Sequence, residues 1–504
     1  SHASWFLCGA REGMLSADGS EKIGDEMSFP EYGDLDGLGL TELVSKKEIT
    51  PSEIMEEAIR RAEALNPELN FLTNDAFHVG RHMAADPALP DGPFKGVPWL
   101  VKELATAWEG QPMTNGCSYM KDLVAPFDSH TVTLTKAAGF TLLGKSNVPE
   151  LGWALACESK LFGIVRNPWD TSRTPGGSSG GAAAAVAARV LPIAEASDGG
   201  GSIRVPASHS GLVGLKPGRG RVSNAPAGVD FWYGGAVFLC LSRSVRDTAQ
   251  YLDVVNGSLP GEPYYAPKPA VPFLAEAGTP PGKLKIALVG ESPDGCTPLD
   301  SDVADAVQAT GELLEELGHT VEAQPIPYDF WPLMDSYMRI TAVQTAGWID
   351  GMGAFVGRAP KDDELAPLYW SMMEKGRAIS GIEHSNDVER MRMACRDMVR
   401  KMAAYDAWLM PAIPVPAREH GWYDMSLDVD TYNRTRMLAD GAFAAPMNAS
   451  GQPAISLPLH TTAGGLPIGM QFVGRQLGEA TLLRLAGQLE QALPWKDRKP
   501  EMAG

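Results

Sequence analysis

Cysteine is scarce in this chain, and its spacing provides no framework for a cross-linked or metal-bound fold. Six cysteines are spread over 504 residues, and none forms a C-x-x-C pair. A disulfide-stapled secreted domain and a zinc ribbon both need closely spaced cysteines, so both are disfavoured. We therefore expect free thiols and no bound metal.

Basic charge and long apolar runs are also scarce. Lys and Arg number 43 against 62 Asp and Glu, which gives a formal net charge of −19. Nucleic acids and anionic membranes are bound by clustered Lys and Arg, so neither is an expected partner. No stretch reaches the roughly 18 apolar residues of a membrane span, and the N-terminus lacks the pattern of a signal peptide. A cytoplasmic location is the expectation.

The chain alternates short apolar runs with helical patterns, which is typical of an α/β protein. Residues 284–289 are predicted to form a strand and residues 302–317 a helix. Another helix is predicted over residues 50–65, with its end at the Asn66-Pro67 pair. Within a helical, substrate-facing region expected at about 325–440, residues from about 330 to 405 are rich in Met, Trp and helix formers, and the segment 410–440 is expected to be irregular.

The first 27 residues are interpreted as a polar N-terminal tail. An artificial origin is one interpretation of this tail, and Met27 is then a candidate natural start. The remaining residues, 28–504, contain no internal repeat and no linker that divides them cleanly. They are predicted to form one large domain.

Glycine is abundant, and two serines 24 residues apart stand within glycine runs. Ser178 lies in the run G-G-S-S-G-G at 176–181, and Ser202 ends the run D-G-G-G-S at 198–202. Glycines let the backbone approach a ligand closely and direct successive N–H groups at one point. A hydroxyl beside such a run places a nucleophile next to anion donors, which suggests acyl transfer.

Residues 139–146 satisfy the P-loop pattern G-x-x-x-x-G-K-S. A P-loop must be a loop between a strand and a helix, with its amide groups free to surround phosphate. The variable positions here are apolar and indicate a strand, and Asn147-Val148-Pro149 does not begin like a helix. Nucleotide binding is therefore disfavoured.

Residues 176–180 also satisfy the G-x-S-x-G pattern of Ser-His-Asp hydrolases. That pattern belongs directly after a buried strand, whereas residues 170–175 are polar and contain proline. None of the downstream histidines is assigned to such a triad. These histidines are His209, His319, His384, His420 and His460. An esterase of this type is kept as an alternative.

Considered together, several segments resemble the amidase signature family. The segments are Gly96-Val97-Pro98 leading to Lys102, the glycine-serine block at 176–181, Asp198 to Arg204 with Pro206, and the stretches 211–217, 451–454 and 466–471. The resemblance covers about residues 35–495. It is strongest to the branch of aminohexanoate-oligomer (nylon) amidases and related acylamidases. It implies a single large α/β domain whose mixed, twisted β-sheet is covered by helices on both faces.

The resemblance also implies a catalytic triad. At the matching positions, Ser202 is the nucleophile, Ser178 is a bridging serine that follows a cis peptide bond, and Lys102 is the base. The chemistry is coherent, because a serine hydroxyl needs a base and a lysine serves only when burial lowers its pKa. Lys145 beside another apolar run is a competing base.

Other roles follow from the same resemblance. The N–H groups of Gly199, Gly200 and Gly201 are expected to hold the oxyanion, while Ser179, Asp198 and Arg204 support the loop. The chain departs from the family pattern at four positions but keeps all three triad members, so substrate range is less certain than reaction type. Those four positions are Glu103, Ser197, Gly199 and Gly218.

The expected function is hydrolysis of carbon–nitrogen amide bonds in small or oligomeric substrates, through a seryl acyl-enzyme and without a cofactor. Esters and carbamates are accessible by the same route. Apolar or aryl groups are favoured by the candidate substrate residues Asn115, Cys117, Phe231, Trp232 and Tyr233. A homodimer is a family-based expectation. The alternative is a glutamine-hydrolysing subunit of an amidotransferase complex.

Overall fold

Thirteen strands organise the part of the chain that the computed structural model describes, which is residues 29–226, 228 and 230–503. The predicted tail at 1–27 lies outside these residues. The strands are β1 (Leu72–Asp75), β2 (Pro98–Lys102), β3 (Thr141–Ser146), β4 (Glu158–Ser159), β5 (Gly163–Ile164), β6 (Ile193–Asp198), β7 (Val213–Lys216), β8 (Val237–Ser242), β9 (Lys285–Leu288), β10 (Thr320–Ala323), β11 (Ala407–Pro411), β12 (Ala454–Thr461) and β13 (Pro467–Gly474).

Eight of these strands form one mixed sheet in the order β10-β9-β11-β13-β12-β7-β8-β6. β9 pairs in parallel with β10 and β11, and the remaining pairs are antiparallel. Every residue of β6, β8, β11 and β13 is buried. Because successive side chains of a strand point to opposite faces, burial of all of them means that both faces of the sheet are covered. The predicted fold class is confirmed.

A smaller sheet has the order β1-β3-β2, with β2 and β3 parallel. Both β2 and β3 are buried along their whole length. This places residues 141–146 of the P-loop-like motif in an interior strand, where their amide groups cannot surround a phosphate.

The helices cover the sheets and build the wall above them. They are α1 (Gly37–Ser45), α2 (Pro51–Leu69), α3 (Phe77–Ala85), α4 (His130–Ala137), α5 (Gly180–Ala187), α6 (Arg204–Ser210), α7 (Val245–Val255), α8 (Phe273–Ala277), α9 (Ser301–Glu316), α10 (Phe330–Val356), α11 (Pro367–Ala378), α12 (Gly381–Met402), α13 (Val429–Tyr432), α14 (Leu438–Asp440), α15 (Ala445–Ser450) and α16 (Glu479–Ala492). A π-helical turn spans Asn433–Met437.

Helix α2 starts as its sequence predicts but ends later. Thr50 and Glu53 form a reciprocal capping box at its start. The predicted end at Asn66-Pro67 is wrong, because the helix continues through Pro67 to the buried Leu69. Asn70 then adopts a left-handed conformation with φ of 56° and donates its N–H to the Asn66 carbonyl at 2.8 Å. Burial of Leu69 offsets the hydrogen bond that proline cannot make.

Helices α10, α11 and α12 occupy most of residues 330–402 within the region of about 325–440. Residues 412–428 form no helix or strand; they are interrupted by Pro414 and Pro416, which cannot donate backbone hydrogen bonds. Within the described residues, no helix is both long and apolar enough to span a bilayer. The five cysteines in the same part of the chain are all free.

Candidate active site

Strand β2 carries Lys102 into the interior of the protein. Lys102 is its last residue and has no solvent exposure. The Lys102 backbone N–H donates to the Glu195 carboxylate on β6 at 2.9 Å. This contact ties the end of β2 to the strand that leads into the second glycine run.

The amino group of Lys102 is surrounded by oxygen atoms. Nζ lies 2.9 Å from Ser178 Oγ, 2.8 Å from Ser179 Oγ and 2.9 Å from Ser197 Oγ. It also lies 3.2 Å from the Ser197 carbonyl oxygen. The amine therefore joins the first glycine-serine segment to Ser197, the residue that directly precedes the second glycine run.

Burial lowers the pKa of Lys102 from 10.5 to about 7. The Cys157 thiol and the carboxyl groups of Asp198 and Glu195 act in the opposite direction, but burial outweighs them. A substantial fraction of the amine is therefore neutral near pH 7 and carries a lone pair that can accept a proton.

The hydrogen-bond partners of Nζ indicate where that lone pair points. The Ser197 carbonyl can only accept, so one amine hydrogen is directed at it. Ser179 Oγ has its own acceptor in the same carbonyl at 3.3 Å, which leaves it free to accept from the amine. The lone pair of the neutral amine is then left to accept a proton from the hydroxyl of Ser178 or of Ser197, both of which lie 2.9 Å from Nζ.

Ser178 lies two residues before the start of α5, and the peptide bond between Gly177 and Ser178 is cis. The turn is closely packed, since a Cβ at Gly177 would lie only 2.5 Å from the Ala156 nitrogen. Cys157 contacts this turn through two hydrogen bonds. Its thiol donates to the Ser178 carbonyl at 3.4 Å and accepts from the Gly180 N–H at 3.3 Å.

The second glycine run is organised by Asp198 at the end of β6. Its carboxylate accepts the N–H groups of Gly201 at 2.8 Å and Ile203 at 3.1 Å. The Arg204 guanidinium binds both carboxylate oxygens at 2.9 Å. Burial alone would raise the pKa of Asp198, but Arg204 holds it well below its usual range. The supporting role expected of this pair agrees with these contacts.

Arg204 extends the same network away from the loop. Its remaining donors reach the Ala444 carbonyl at 2.9 Å, Gln471 Oε1 at 2.7 Å and Asn448 Oδ1 at 2.7 Å. The side chain is fully buried. An uncompensated charge at either Asp198 or Arg204 would be costly in this setting, so the two residues anchor the loop as a unit.

Ser178 and Ser202 open into the same cavity. Gly199, Gly200 and Ser197 also line it, whereas Gly201 does not. The other lining residues are Leu104, Ala105, Leu151, Gly152, Trp153, Phe231, Trp232, Ala236, Phe238, Gln344, Thr345, Trp348, Tyr369 and Met437. Among the residues that the structure describes, no charged side chain stands in this lining, so the cavity is suited to an uncharged ligand.

Of the five predicted substrate residues, Phe231 and Trp232 line the cavity and three do not. Asn115 is buried in a left-handed turn, where its Oδ1 accepts the Ala105 N–H at 2.9 Å. Cys117 is buried beside the Glu364 carbonyl, and burial raises the pKa of its thiol to about 12. Tyr233 points to His384, with 3.0 Å between Oη and Nε2.

The competing bases are engaged elsewhere. Lys145 lies 3.4 Å from the Glu103 carboxylate and 3.3 Å from the Thr106 carbonyl. His209 Nε2 lies 3.4 Å from the Val415 carbonyl, and burial lowers its pKa to about 4. No histidine in the described part of the chain hydrogen-bonds to Ser178 or Ser202. No group of three or more potential metal-binding His, Cys, Asp or Glu side chains occurs there either.

Sequence reasoning missed several residues of the site. Glu195 is buried beside Lys102, and burial raises the pKa of its carboxyl to about 7. Gln344 and Trp348 come from α10, and their spacing of four residues puts them on one helix face. That spacing within the predicted helical segment was a usable signal, whereas nothing local marked Tyr369 or Met437.

The model of the Amidase family matches residues 53–483. The chain belongs to the amidase signature family. This amidase is 36% identical over 478 residues to the 6-aminohexanoate-cyclic-dimer hydrolase of Pseudomonas sp. (strain NK87), covering 93% of this chain and 96% of the relative. Together these similarities identify it as an amidohydrolase.

Solved structures agree with this assignment. A structure of 6-aminohexanoate cyclic dimer hydrolase superposes with a TM-score of 0.89 at 35% identity, covering 94% of this amidase and 99% of that chain. A bacterial aryl acylamidase of the amidase signature family gives a TM-score of 0.83 at 27% identity, covering 93% and 98%.

Proposed function

We propose that this amidase cleaves the carbon–nitrogen bond of uncharged apolar or aryl amides through an acyl-enzyme on Ser202. One observation carries the proposal. The fully buried amine of Lys102 lies 2.9 Å from the hydroxyl of Ser178, and Ser178 shares its cavity with Ser202.

In the first half-reaction, Ser202 Oγ attacks the carbonyl carbon of the amide. The Ser202 proton passes to Ser178 Oγ as the Ser178 proton passes to the neutral Nζ of Lys102. The carbonyl π electrons move onto oxygen to form a tetrahedral oxyanion. On collapse, the C–N bond breaks and the leaving nitrogen takes a proton back from Lys102 through Ser178, which leaves acyl-Ser202.

The second half-reaction repeats these steps with water. Water attacks the acyl carbon and gives its proton through Ser178 to Lys102. The ester bond to Ser202 breaks, and the proton returns to Ser202 Oγ. The carboxylic acid is released, and all three residues recover their starting protonation.

Backbone amides supply the oxyanion site in this proposal. The N–H groups of Gly199, Gly200 and Ser202 have no hydrogen-bond partner within the described part of the chain, and these three residues line the cavity. The expected third donor, Gly201, instead donates its N–H to Asp198. We therefore assign it to shaping the loop. Losing one oxyanion donor typically costs about 10²–10³ in rate.

The lining supports an uncharged substrate. A glutamine-hydrolysing site would have to pair the ammonium and carboxylate of the amino acid with charged partners, and this cavity lining offers none. The glutamine alternative is therefore less well supported than a neutral amide. Esters and carbamates carry the same acyl carbon, and we include them in the proposed range.

The test uses 4-nitroacetanilide, whose hydrolysis releases a coloured amine. Parent protein should hydrolyse it and should show an acetyl adduct by intact-protein mass spectrometry during turnover. Ser202→Ala should neither hydrolyse the anilide nor form the acetyl adduct, and it should keep the thermal unfolding midpoint of the parent. Phenyl N-methylcarbamate should give a carbamoyl adduct on the same residue.

Ser208→Ala is a matched control, because Ser208 is a buried serine in α6 whose hydroxyl accepts the Gly469 N–H at 2.8 Å. It lies outside the cavity lining, so its variant should keep activity. Retention of full activity and of the adduct by Ser202→Ala would rule out the proposed nucleophile.

A further inference from the structure

Gly199 has no side chain, and the structure shows what occupies the space beside its backbone. A Cβ at Gly199 would lie 2.2 Å from Cζ3 and 2.9 Å from Cε3 of the Trp232 ring. These distances leave no room for any side chain. The indole of Trp232 occupies that space, directly against the segment that leads to Ser202.

Trp232 is held in this position from several directions. Its backbone is left-handed with φ of 53°, and its N–H donates to Gln344 Oε1 at 2.6 Å. The indole meets the Trp153 ring edge-to-face at 5.1 Å and 83°, and the Tyr337 ring at 6.5 Å and 90°. Tyr337 in turn donates its hydroxyl to the Gly199 carbonyl at 3.0 Å.

These contacts link the absence of a side chain at Gly199 to the shape of the cavity. Trp232, Trp153 and Gln344 all line the cavity beside Ser202. Trp153 and Trp232 are perpendicular to each other and both line the cavity, so an aryl group bound beside them extends a cluster of aromatic rings, which favour such mutual contacts. An aliphatic ring of the same size gains contact area there but not these contacts between aromatic rings.

We propose that Gly199 and Trp232 form a specificity element that selects a flat aryl group next to the scissile bond, with Gln344 as its positioning residue. This inference rests on the proposed function and names the feature of the substrate that the site discriminates. Gly199 makes room for the indole, and Gln344 holds the left-handed backbone that directs it.

The test compares amides that differ only in ring type. Acetanilide is paired with N-cyclohexylacetamide, and benzamide with cyclohexanecarboxamide, so that both sides of the scissile bond are probed. For each pair, the ratio of kcat/KM for aryl over cyclohexyl is measured. Dividing the ratio of a variant by that of the parent cancels the intrinsic reactivity of the compounds.

Trp232→Leu should lower this ratio about three- to tenfold for at least one pair, the size expected for loss of a favourable aromatic contact. Trp331→Leu is the matched control, because Trp331 lies outside this cavity lining and donates its indole N–H to the Asp294 carbonyl. Its ratio should match the parent.

Gly199→Thr tests the contact between Gly199 and the Trp232 indole independently. In the parent background, the threonine must displace the indole, so kcat/KM for acetanilide should fall more than tenfold. In a Trp232→Ala background the space is empty, so the same change should cause a several-fold smaller loss than in the parent background. Equal losses in the two backgrounds would contradict the proposed contact.

Gln344 is tested by its effect on selectivity rather than on total activity. Gln344→Met removes the acceptor for the Trp232 N–H and should lower the ratio as Trp232→Leu does. Gln344→Glu keeps an acceptor oxygen and should restore most of the ratio. A ratio that Gln344→Met leaves unchanged would remove Gln344 from the element.

Two failures can be told apart. If the parent hydrolyses none of the four amides, the proposed function is contradicted and this inference with it. If the parent is active but Trp232→Leu keeps the parent ratio for both pairs, the inference alone is overturned.

Discussion

Replacing Lys102 with methionine tests the proton-transfer route in the most detail. Methionine fills most of the lysine volume but has no proton acceptor in place of Nζ. The hydroxyls of Ser178 and Ser179, which lie 2.9 and 2.8 Å from Nζ, would keep their positions but lose the amine. Lys102→Met should therefore remove the base with little change in cavity shape.

The expected magnitude follows from the pKa of Lys102. At its ordinary value of 10.5, about 1 amine in 3,000 would be neutral at pH 7. At about 7, roughly half is neutral. Positioned base catalysis contributes about 10²–10⁴, so Lys102→Met should lower kcat/KM by at least 10².

The assay is the pH dependence of kcat/KM for 4-nitroacetanilide between pH 5.5 and 9.5. The neutral amine is the active form, so the parent rate should rise through an apparent pKa near 7 and level off above it. A histidine would give a step at a similar pH, and burial also sets the pKa values of Glu195 and Lys216 near 7. The profile alone therefore does not identify the group.

If the rise in kcat/KM near pH 7 is absent in Lys102→Met, the titrating group is the Lys102 amine. The matched control is the double variant Lys145→Met with Glu103→Gln, which removes another buried lysine together with its ion-pair partner. The control should keep the step near pH 7. A Lys102→Met protein that keeps the step near pH 7, or more than a tenth of the parent kcat/KM, would contradict the assignment of Lys102 as the base.

Three further predictions concern the serine bridge and the loop. Ser178→Ala should lower kcat/KM for 4-nitroacetanilide by about 10²–10⁴ with an unchanged thermal midpoint; a loss below tenfold would argue against a bridge. Arg204→Met should lower the free energy of unfolding by about 3–5 kcal/mol in urea titrations, because it leaves Asp198 charged and buried, and adding Asp198→Asn should recover part of that loss. Gly201→Ala should lower kcat more than tenfold, because its φ is 127° and the new Cβ would lie 2.9 Å from Ala444 Cβ; parent-like kinetics would show that the loop tolerates the change.

The proposed reacting serines are easier to recognise in the sequence than the cavity walls around them. Ser178 and Ser202 were found because each stands in a glycine run, and those runs reflect close approaches that leave no room for a Cβ at Gly177 or Gly199. Lys102 came from the family resemblance, since an apolar strand ending in lysine has no distinctive local pattern. In the structure, Lys102 is buried because it ends a strand, β2, that is buried along its whole length.

The cavity walls could not be predicted from nearness in the chain. Asn115 and Cys117 follow Lys102 closely, but the left-handed turn at Asn115 directs both side chains into the interior. Gln344 and Tyr369 lie more than a hundred residues from Ser202 and reach the cavity only because α10 and α11 pack above it. Such contacts depend on tertiary packing, which leaves no short motif.

The proposed mechanism requires Lys102 to be a neutral amine near the working pH. The titration of this amine can be observed directly by NMR of protein labelled with [ε-¹³C]lysine. The signal that is lost in Lys102→Met should titrate with a midpoint near 7, more than two units below the solvent-exposed lysines. If that signal stays in its charged position up to pH 9, the amine cannot accept the serine proton and the account is contradicted.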